Sequence, residues 1–444
     1  MRARLPAVHV ETGIQILCQR QAPPAGVSSL LASCAMSSSD ANRFSAAGSA
    51  LGYLAQVEYA LLIALQRMDT DVSLRLSLET VDDITFEVDG QPRELWQTKH
   101  HVSRQGSLGD ASPDLWKTLH NWIESSDEGS ACFLFTTATA PSDSAAGLLR
   151  VMRGSHDLIA ARDKLDVVAL AAGNASSARY YQRYLSLTKE QRLALLRRVT
   201  VLDGAVDAAE LTDRLVGAVR KSAVAQRRLP LIERLRGWWH ARAMSHLTRI
   251  AQGESDWIDL EEIEERLLLI AQSLRDDNLP LDYDYQPKPT AREVSDDDRI
   301  FVEQLKIVLL HHDRIRQAVY DHNRAFLQRS RWQREQLLAI GEIDAYDRRL
   351  IEEWNRVFLP IDEPFDDGET SDADKQHSAR QLYAALQQRA LPEIRSEVRS
   401  GYIPFGSLHI LADRLQIGWH PDWVDLLKHR LAEVRGKEEA RGAA

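Results

Sequence analysis

Residues 72–99 read VSLRLSLETVDDITFEVDGQPRELWQTK, and this stretch decides the fold of the first half of the chain. Val72–Glu79 alternates strictly between apolar and polar residues, which predicts a half-buried strand. Asp83–Val88 alternates in the same way, and Asp89-Gly90 behind it is a typical two-residue hairpin turn. Glu94–Lys99 predicts a third strand. The stretch therefore predicts an antiparallel hairpin inside an α/β domain.

Three polar residues of this stretch suggest a metal site. The period of two places Gln97 and Lys99 on one face of the third strand, and Asp83 opens the strand before it. Asp83, the amide oxygen of Gln97 and the main-chain carbonyl of Thr98 could hold Mg²⁺ or Mn²⁺. Lys99 would orient a water molecule and offset the charge of a phosphodiester transition state. The spacing alone fits an ordinary hairpin with solvated side chains as well.

A helix predicted over Ala47–Met68 carries an apolar stripe that we expect to face the core. The stripe consists of Leu51, Leu54, Leu61, Leu65 and Met68. Glu58 falls within it, and a carboxylate removed from water needs a partner. Glu58 therefore either completes the metal shell or lies at the rim, where solvent or an arginine stabilises it.

Four runs carry a family resemblance: GYLAQVEYALL at 52–62, LETVDDI at 78–84, LWQTKH at 95–100 and DLWKTLHNW at 114–122. They resemble the double-stranded DNA endonuclease domain of bacterial anti-phage effectors. The resemblance implies a restriction-endonuclease-like fold of the PD-(D/E)xK type over residues 45–222 and Mg²⁺-dependent cleavage of DNA. It implies Asp83, Gln97 and Lys99 as active-site residues, with Glu79 and Glu58 as further catalytic candidates. Ala55 stands where family members commonly have an aromatic residue.

Helical periodicity dominates from about residue 189 onward, which predicts a mainly α-helical remainder. Proline- and aspartate-rich breaks at 280–298 and 360–378 favour a helical connecting segment over 223–297 and a helical C-terminal domain over 298–444. Residues 1–44 are rich in Ala, Ser and Pro, and we interpret them as a disordered leader or an over-called start.

Two motifs near the end, GSLHILAD at 406–413 and IGWHPDW at 417–423, fit a cap over a small helical core. They also resemble the C-terminal domain of three-component systems that work with an ABC-type or SMC-like ATPase. Taken whole, the chain resembles the nuclease subunits of Lamassu-type anti-phage systems. That resemblance implies an SMC-like ATPase partner, a small third subunit, and a homo-oligomer as the active state after release.

The net charge of −10 and the pI of about 5.8 exclude a protein that coats nucleic acid, so any DNA contact must be local. The arginine-rich segment 218–249 could be a phosphate track or a solvated helix face. Three cysteines without a CxxC pair predict a reducing, cytoplasmic location. The sequence contains no run of 18 apolar residues, so it predicts no membrane-spanning helix.

These observations favour a metal-dependent DNA endonuclease controlled by partners. A non-catalytic adaptor that uses a nuclease-like fold to bind DNA and an ATPase is the alternative from another class. An RNA- or nucleotide-directed hydrolase on the same fold is a third possibility, which the residues do not separate from the first.

Overall fold

The computed structural model describes residues 44–99, 106–125, 129–205, 208–362 and 371–428. They belong to two compact units, Met1–Leu269 and Ile270–Ala444. Helices prevail over strands. This agrees with the prediction that the chain is mainly α-helical from about residue 189 onward. The prediction for residues 1–44 lies outside the described residues, apart from Phe44.

The first unit contains one mixed sheet, whose strand order in the described residues is β5-β4-β3-β2-β1-β6. Its strands are β1 (Arg75–Leu78), β2 (Ile84–Val88), β3 (Gln91–Lys99), β4 (Ala131–Thr136), β5 (Val199–Leu202) and β6 (Ile258–Asp259). The strands β1, β2 and β3 pair antiparallel, and β3, β4 and β5 pair parallel. An α/β core with a mixed sheet is thus present.

The predicted hairpin between β2 and β3 is confirmed. Asp89 and Gly90 have φ angles of +54° and +74°, the left-handed pair that a type I′ turn requires. Ile84 lies opposite Trp96, and the register shifts by a bulge between Phe86 and Glu87. The turn therefore fixes which residue of β2 faces which residue of β3.

Helices cover both faces of this sheet. They are α1 (Phe44–Met68), α2 (Pro113–Glu124), α3 (Ala145–Leu148), α4 (Ser155–Ala171), α5 (Ala178–Leu185), α6 (Lys189–Arg198), α7 (Ala208–Ala218), α8 (Arg228–Ala251) and α9 (Leu260–Ser273). On one face, Tyr59 of α1 packs edge-on against Phe135 at 4.7 Å between ring centroids. On the other face, Trp116 and Tyr181 pack into one core with Leu95 and Leu134.

The predicted apolar stripe of α1 is buried only in its second half. Leu61 and Leu65 are buried, whereas Leu51 and Leu54 are 49% and 51% exposed. A helix of 25 residues is about 37 Å long, which exceeds the about 30 Å of the nine-residue strand β3. The sheet is therefore too short to cover the first turns of α1.

The first part of segment 223–297, for which the sequence predicts a helical connection, packs within the sheet unit. Trp239 of α8 donates its indole N–H to the carbonyl of Val57 at 2.8 Å, and β6 pairs with β1. His246 of α8 accepts the N–H of Leu78 at Nε2, at 3.0 Å. Short sequence windows do not reveal pairing between segments so far apart in the chain.

His246 also lies 3.2 Å from the Ser77 hydroxyl and 2.9 Å from Asp256, an arrangement that imitates a nucleophilic triad. Both Ser77 and His246 have no exposed surface, so no substrate can reach them. Because Nε2 accepts the Leu78 N–H, the proton of the neutral ring sits on Nδ1 and is donated to Asp256. The network anchors α8 to β1.

Beyond α9, the described residues of the second unit form helices joined by loops, without a strand. Its helices are α10 (Ala291–Ser295), α11 (Ile300–Ile307), α12 (His312–Arg334), α13 (Glu342–Asp362), α14 (Asp372–Gln388), α15 (Tyr402–Asp413) and α16 (Trp423–Leu426). A side chain at Gly406 would place Cβ 2.2 Å from the Asp321 carbonyl oxygen, so α15 needs glycine to approach α12. His409 is fully buried beside Trp419, as the predicted cap over a helical core requires.

Within the described chain, no helix combines the length and the apolar character that crossing a membrane requires.

Candidate metal centre at the start of strand β2 and the end of strand β3

The hairpin brings Asp83 beside the end of β3. Asp83 immediately precedes β2, and Ile84 pairs with Trp96, so the next step outward places Asp83 opposite Gln97. The Asp83 carboxylate oxygen Oδ2 accepts the Thr98 N–H at 2.7 Å and the Thr98 hydroxyl at 2.9 Å. The register and these two bonds hold the half-buried Asp83 against β3.

Gln97 and Lys99 follow each other on one face of β3, as the period of two predicts. Gln97 is buried, and its side-chain oxygen Oε1 accepts an N–H from Asn121 of α2 at 3.1 Å. Lys99 is half-buried at the last position of the strand. We call Asp82, Asp83, Gln97, Thr98 and Lys99 the candidate centre.

Asp82 belongs to this group, although the sequence analysis did not select it. Its oxygen Oδ2 accepts the Trp122 indole N–H at 2.6 Å, and Oδ1 accepts the Asp83 N–H at 3.1 Å. Burial raises the pKa of Asp82 to about 6, the bond from Trp122 opposes this rise, and the neighbouring charge of Asp83 adds to it. The ammonium of Lys99 lowers the pKa of Asp82 slightly. The adjacent pair Asp82-Asp83 before strand β2 is the feature of the sequence that could have identified Asp82 as a site residue.

Glu79 lies beside Asp83 at the turn between β1 and β2. The side-chain amide nitrogen of Gln56 of α1 donates to the Glu79 carboxylate at 2.8 Å and to the Asp83 carbonyl at 3.0 Å. Glu79 has a φ of +54°, and its own N–H donates to the same Asp83 carbonyl at 3.1 Å. Glu79 is exposed, so its carboxylate stays open to solvent next to the candidate centre.

Glu58 is bound elsewhere. Its two carboxylate oxygens contact Arg236 and His240 of α8, each at 2.8 Å. Gln56 and Glu58 lie about 200° apart around α1, because each residue turns the helix by about 100°. The side of α1 that carries Gln56 faces Glu79 and Asp83, and the side that carries Glu58 faces α8. The structure thus does not bring Glu58 to the candidate centre.

The donor set of the candidate centre suits a hard cation. Within the described residues, both bonds to the Asp83 carboxylate fall on Oδ2, which leaves Oδ1 for another ligand. Gln97 Oε1 accepts one hydrogen bond and retains a second lone pair. The N–H of Thr98 faces Asp83, and its carbonyl shares that side of the strand. One carboxylate with neutral oxygens and several waters is a common Mg²⁺ environment.

Histidine, cysteine and carboxylate groups do not offer a richer metal site. In the part of the chain that the structure describes, no three such side chains lie close enough together to hold an ion. Any metal at the candidate centre would therefore need neutral oxygens, such as the amide of Gln97 and the carbonyl of Thr98, beside the Asp83 carboxylate.

Three arginines of the segment 218–249 form ion pairs within the protein. Arg236 pairs with Glu58, Arg242 pairs with Asp256 and Glu262, and Arg249 pairs with Asp256 and Glu254. Their carboxylate partners neutralise these three guanidinium groups. These three arginines tie α8 to α1 and to the segment around α9.

Comparisons with known proteins identify the C-terminal part of the chain. Residues 301–427 match the family model described as C-terminal domain 7 of the ABC-three component (ABC-3C) systems. No curated protein matches the sequence.

A solved structure, the Moraxella osloensis Cap4 SAVED/CARF-domain containing receptor, is 14% identical with a TM-score of 0.30. The alignment covers 62% of this chain and 61% of that structure's chain, so less than two thirds of that chain is spanned. A likeness this weak establishes neither fold nor function. The family match is the firmer finding: residues 301–427 of this chain are similar to C-terminal domain 7 of the ABC-three component systems.

Proposed function

We propose that the sheet unit is a metal-dependent endonuclease that hydrolyses phosphodiester bonds of double-stranded DNA. The observation that carries the proposal is the convergence of Asp83, Gln97 and Lys99 where β2 begins and β3 ends. A carboxylate, a second oxygen donor and a cation are the three groups that metal-assisted phosphodiester hydrolysis needs. The resemblance of the surrounding runs to anti-phage endonuclease domains supports the same activity.

Asp83, the side-chain oxygen of Gln97 and the carbonyl of Thr98 would hold Mg²⁺ or Mn²⁺. The bound ion would lower the pKa of a water molecule and stabilise negative charge on the scissile phosphate. Lys99 would orient the attacking water and stabilise the charge that develops on the phosphate oxygens. Asn121 and Trp122 of α2 keep Gln97 and Asp82 in place through their N–H groups. Glu79 remains a candidate for the outer shell.

The C-terminal domain supports a role in defence against phage or plasmid DNA. ABC-three component systems include an ABC-type or SMC-like ATPase, and we propose such an ATPase and a small third subunit as partners of this chain. In this proposal, the ATPase complex holds the nuclease silent until foreign DNA is sensed. The released chain then cuts double-stranded DNA as a homo-oligomer.

Plasmid cleavage tests the activity. Purified full-length protein with Mg²⁺ should convert supercoiled plasmid to open and linear forms, and Lys99→Ala should lose at least about 100-fold in rate, because one electrostatic stabiliser contributes about that much. Lys164→Ala, on α4, serves as the matched control and should cut at the wild-type rate. Equal cutting by the wild type and Lys99→Ala would reject the assignment.

A non-catalytic adaptor is the second candidate, and the engagement of Glu58 by Arg236 and His240 favours it. That engagement leaves the candidate centre with fewer carboxylates than the sequence analysis expected. A phage-challenge assay with the complete system separates the two. Full protection by an Asp83→Ala variant would support the adaptor, whereas loss of protection would support the nuclease.

A further inference from the structure

Two exposed cations beside the candidate centre have no acidic partner within the described residues. Lys117 lies on α2 and Arg179 on α5, and neither forms an ion pair there. Arg236 and Arg242 of α8, by contrast, are each bound by carboxylates. The chain has 65 acidic and 55 basic residues, so an exposed cation without an acid is notable. Such cations are free to bind an external anion.

Arg179 is held in a fixed geometry. Its guanidinium donates to the Tyr180 hydroxyl at 2.9 Å and lies 4.8 Å from the centre of the same ring. The Tyr180 ring packs in turn against His120 of α2 at 4.9 Å. A guanidinium that is already ordered loses little conformational freedom when it binds, and its remaining N–H donors match the oxygens of a phosphate.

The two cations lie on helices that pack against each other, and one of these helices contacts the candidate centre. Lys117, His120 and Asn121 are three and four residues apart, so they lie on one side of α2. Asn121 reaches from that side to Gln97, and Trp116 packs the opposite flank of α2 against Tyr181 of α5. A helix is about 10 Å wide, which corresponds to about three phosphates along one DNA strand.

We propose that this surface, which we call the α2/α5 face and define by Lys117, His120, Asn121, Arg179 and Tyr180, binds the phosphate backbone of the DNA duplex that enters the candidate centre. This inference rests on the proposed nuclease function and specifies where its substrate lies. Lys117 contacts a phosphate next to the centre, and Arg179 contacts one further along the strand. The contacts are to the backbone, so they act on any DNA sequence.

DNA binding without cleavage tests this inference. The full-length protein is titrated into a labelled 30-base-pair duplex in EDTA, and the dissociation constant is measured by anisotropy at several salt concentrations. Lys117→Ala/Arg179→Ala is compared with Arg93→Ala/Arg197→Ala. The control pair is equally exposed and lies at the opposite end of the sheet, where β3 and β5 begin. Lys117→Glu adds a single charge reversal, and thermal melting checks that each variant is folded.

The double variant should bind more weakly, and the slope of log affinity against log salt should become shallower by about 1.8, about 0.9 for each lost phosphate contact. By the same relation, the ratio of the dissociation constants of the double variant and the wild type should fall about 12-fold between 50 and 200 mM salt. The control pair should keep the wild-type slope.

An unchanged affinity and slope in both Lys117 variants would overturn the inference, and so would a wild-type protein that does not bind duplex DNA. The experiments distinguish failure of this inference from failure of the proposed nuclease function. If the wild type cuts plasmid with Mg²⁺ while the double variant binds DNA normally, only the α2/α5 face is rejected. If the wild type neither binds nor cuts DNA, both are rejected.

Discussion

Asp82 connects helix α2 to Asp83, the residue immediately before strand β2. Its carboxylate accepts one hydrogen bond from Trp122 and another from the Asp83 main chain. A buried carboxylate that loses a donor bears a desolvation cost that no solvent compensates. The position of Asp83 therefore depends on an indole that takes no part in chemistry.

Replacing Trp122 with phenylalanine keeps an aromatic ring and removes the N–H donor. We expect the free energy of unfolding of the sheet unit to fall by about 1 to 3 kcal/mol, the cost of an unsatisfied buried group. Urea unfolding followed by circular dichroism measures it. Trp238→Phe is the control, because Trp238 is only half-buried and packs beside Trp239. An equal loss in the two variants would show that ring volume, and not the bond to Asp82, is responsible.

Among the secondary-structure elements, the local sequence pattern predicted those features that neighbouring residues alone determine. Strict alternation and the Asp89-Gly90 turn were sufficient for the β2–β3 hairpin and for the shared face of Gln97 and Lys99. The partner of Glu58 was not predictable, because Arg236 lies 178 residues away. The pairing of β6 with β1 was not predicted either, because these strands are also far apart in the chain. In addition, the two residues of β6 are too few to show a periodic pattern.

Helices α12 and α15 carry two buried histidines that remain neutral. Burial lowers the pKa of His322 to about 4, and the charge of Arg299 adds to the effect. Burial likewise lowers the pKa of His409 to about 3. An unfolded histidine titrates near 6.5, so between these values the unfolded chain binds more protons than the folded one. The stabilising contribution is complete above pH 6.5 and is lost as the pH falls.

We therefore expect the second unit to lose stability between pH 7 and pH 5, by up to about 1.4 kcal/mol per pH unit for each histidine once the pH is well below 6.5. Hydrogen exchange of the α15 amides in the full chain, corrected for the intrinsic exchange rate, measures the change. His409→Leu should make the dependence on pH shallower. Protection of α15 that stays constant between pH 7 and pH 5 would contradict this assignment.

The whole molecule combines a sheet unit that carries the candidate centre with a C-terminal part whose residues 301–427 are similar to a C-terminal domain of ABC-three component systems. The net charge of −10 restricts DNA contact to a local surface, and the arginines of α8 are used inside the protein. The proposed function places chemistry and partner binding in different parts of the chain. This division predicts that cleavage can be removed without loss of DNA binding or of partner binding.

The most direct test of the central claim compares the wild type with Asp83→Ala in two assays on the same full-length preparations. One assay measures single-turnover cleavage of a labelled duplex with Mg²⁺, and the other measures binding of that duplex in EDTA. Asp83→Ala should bind with wild-type affinity and cleave at least about 100-fold more slowly, because it lacks the carboxylate proposed to hold the metal. Equal cleavage rates for the two proteins would contradict the central claim.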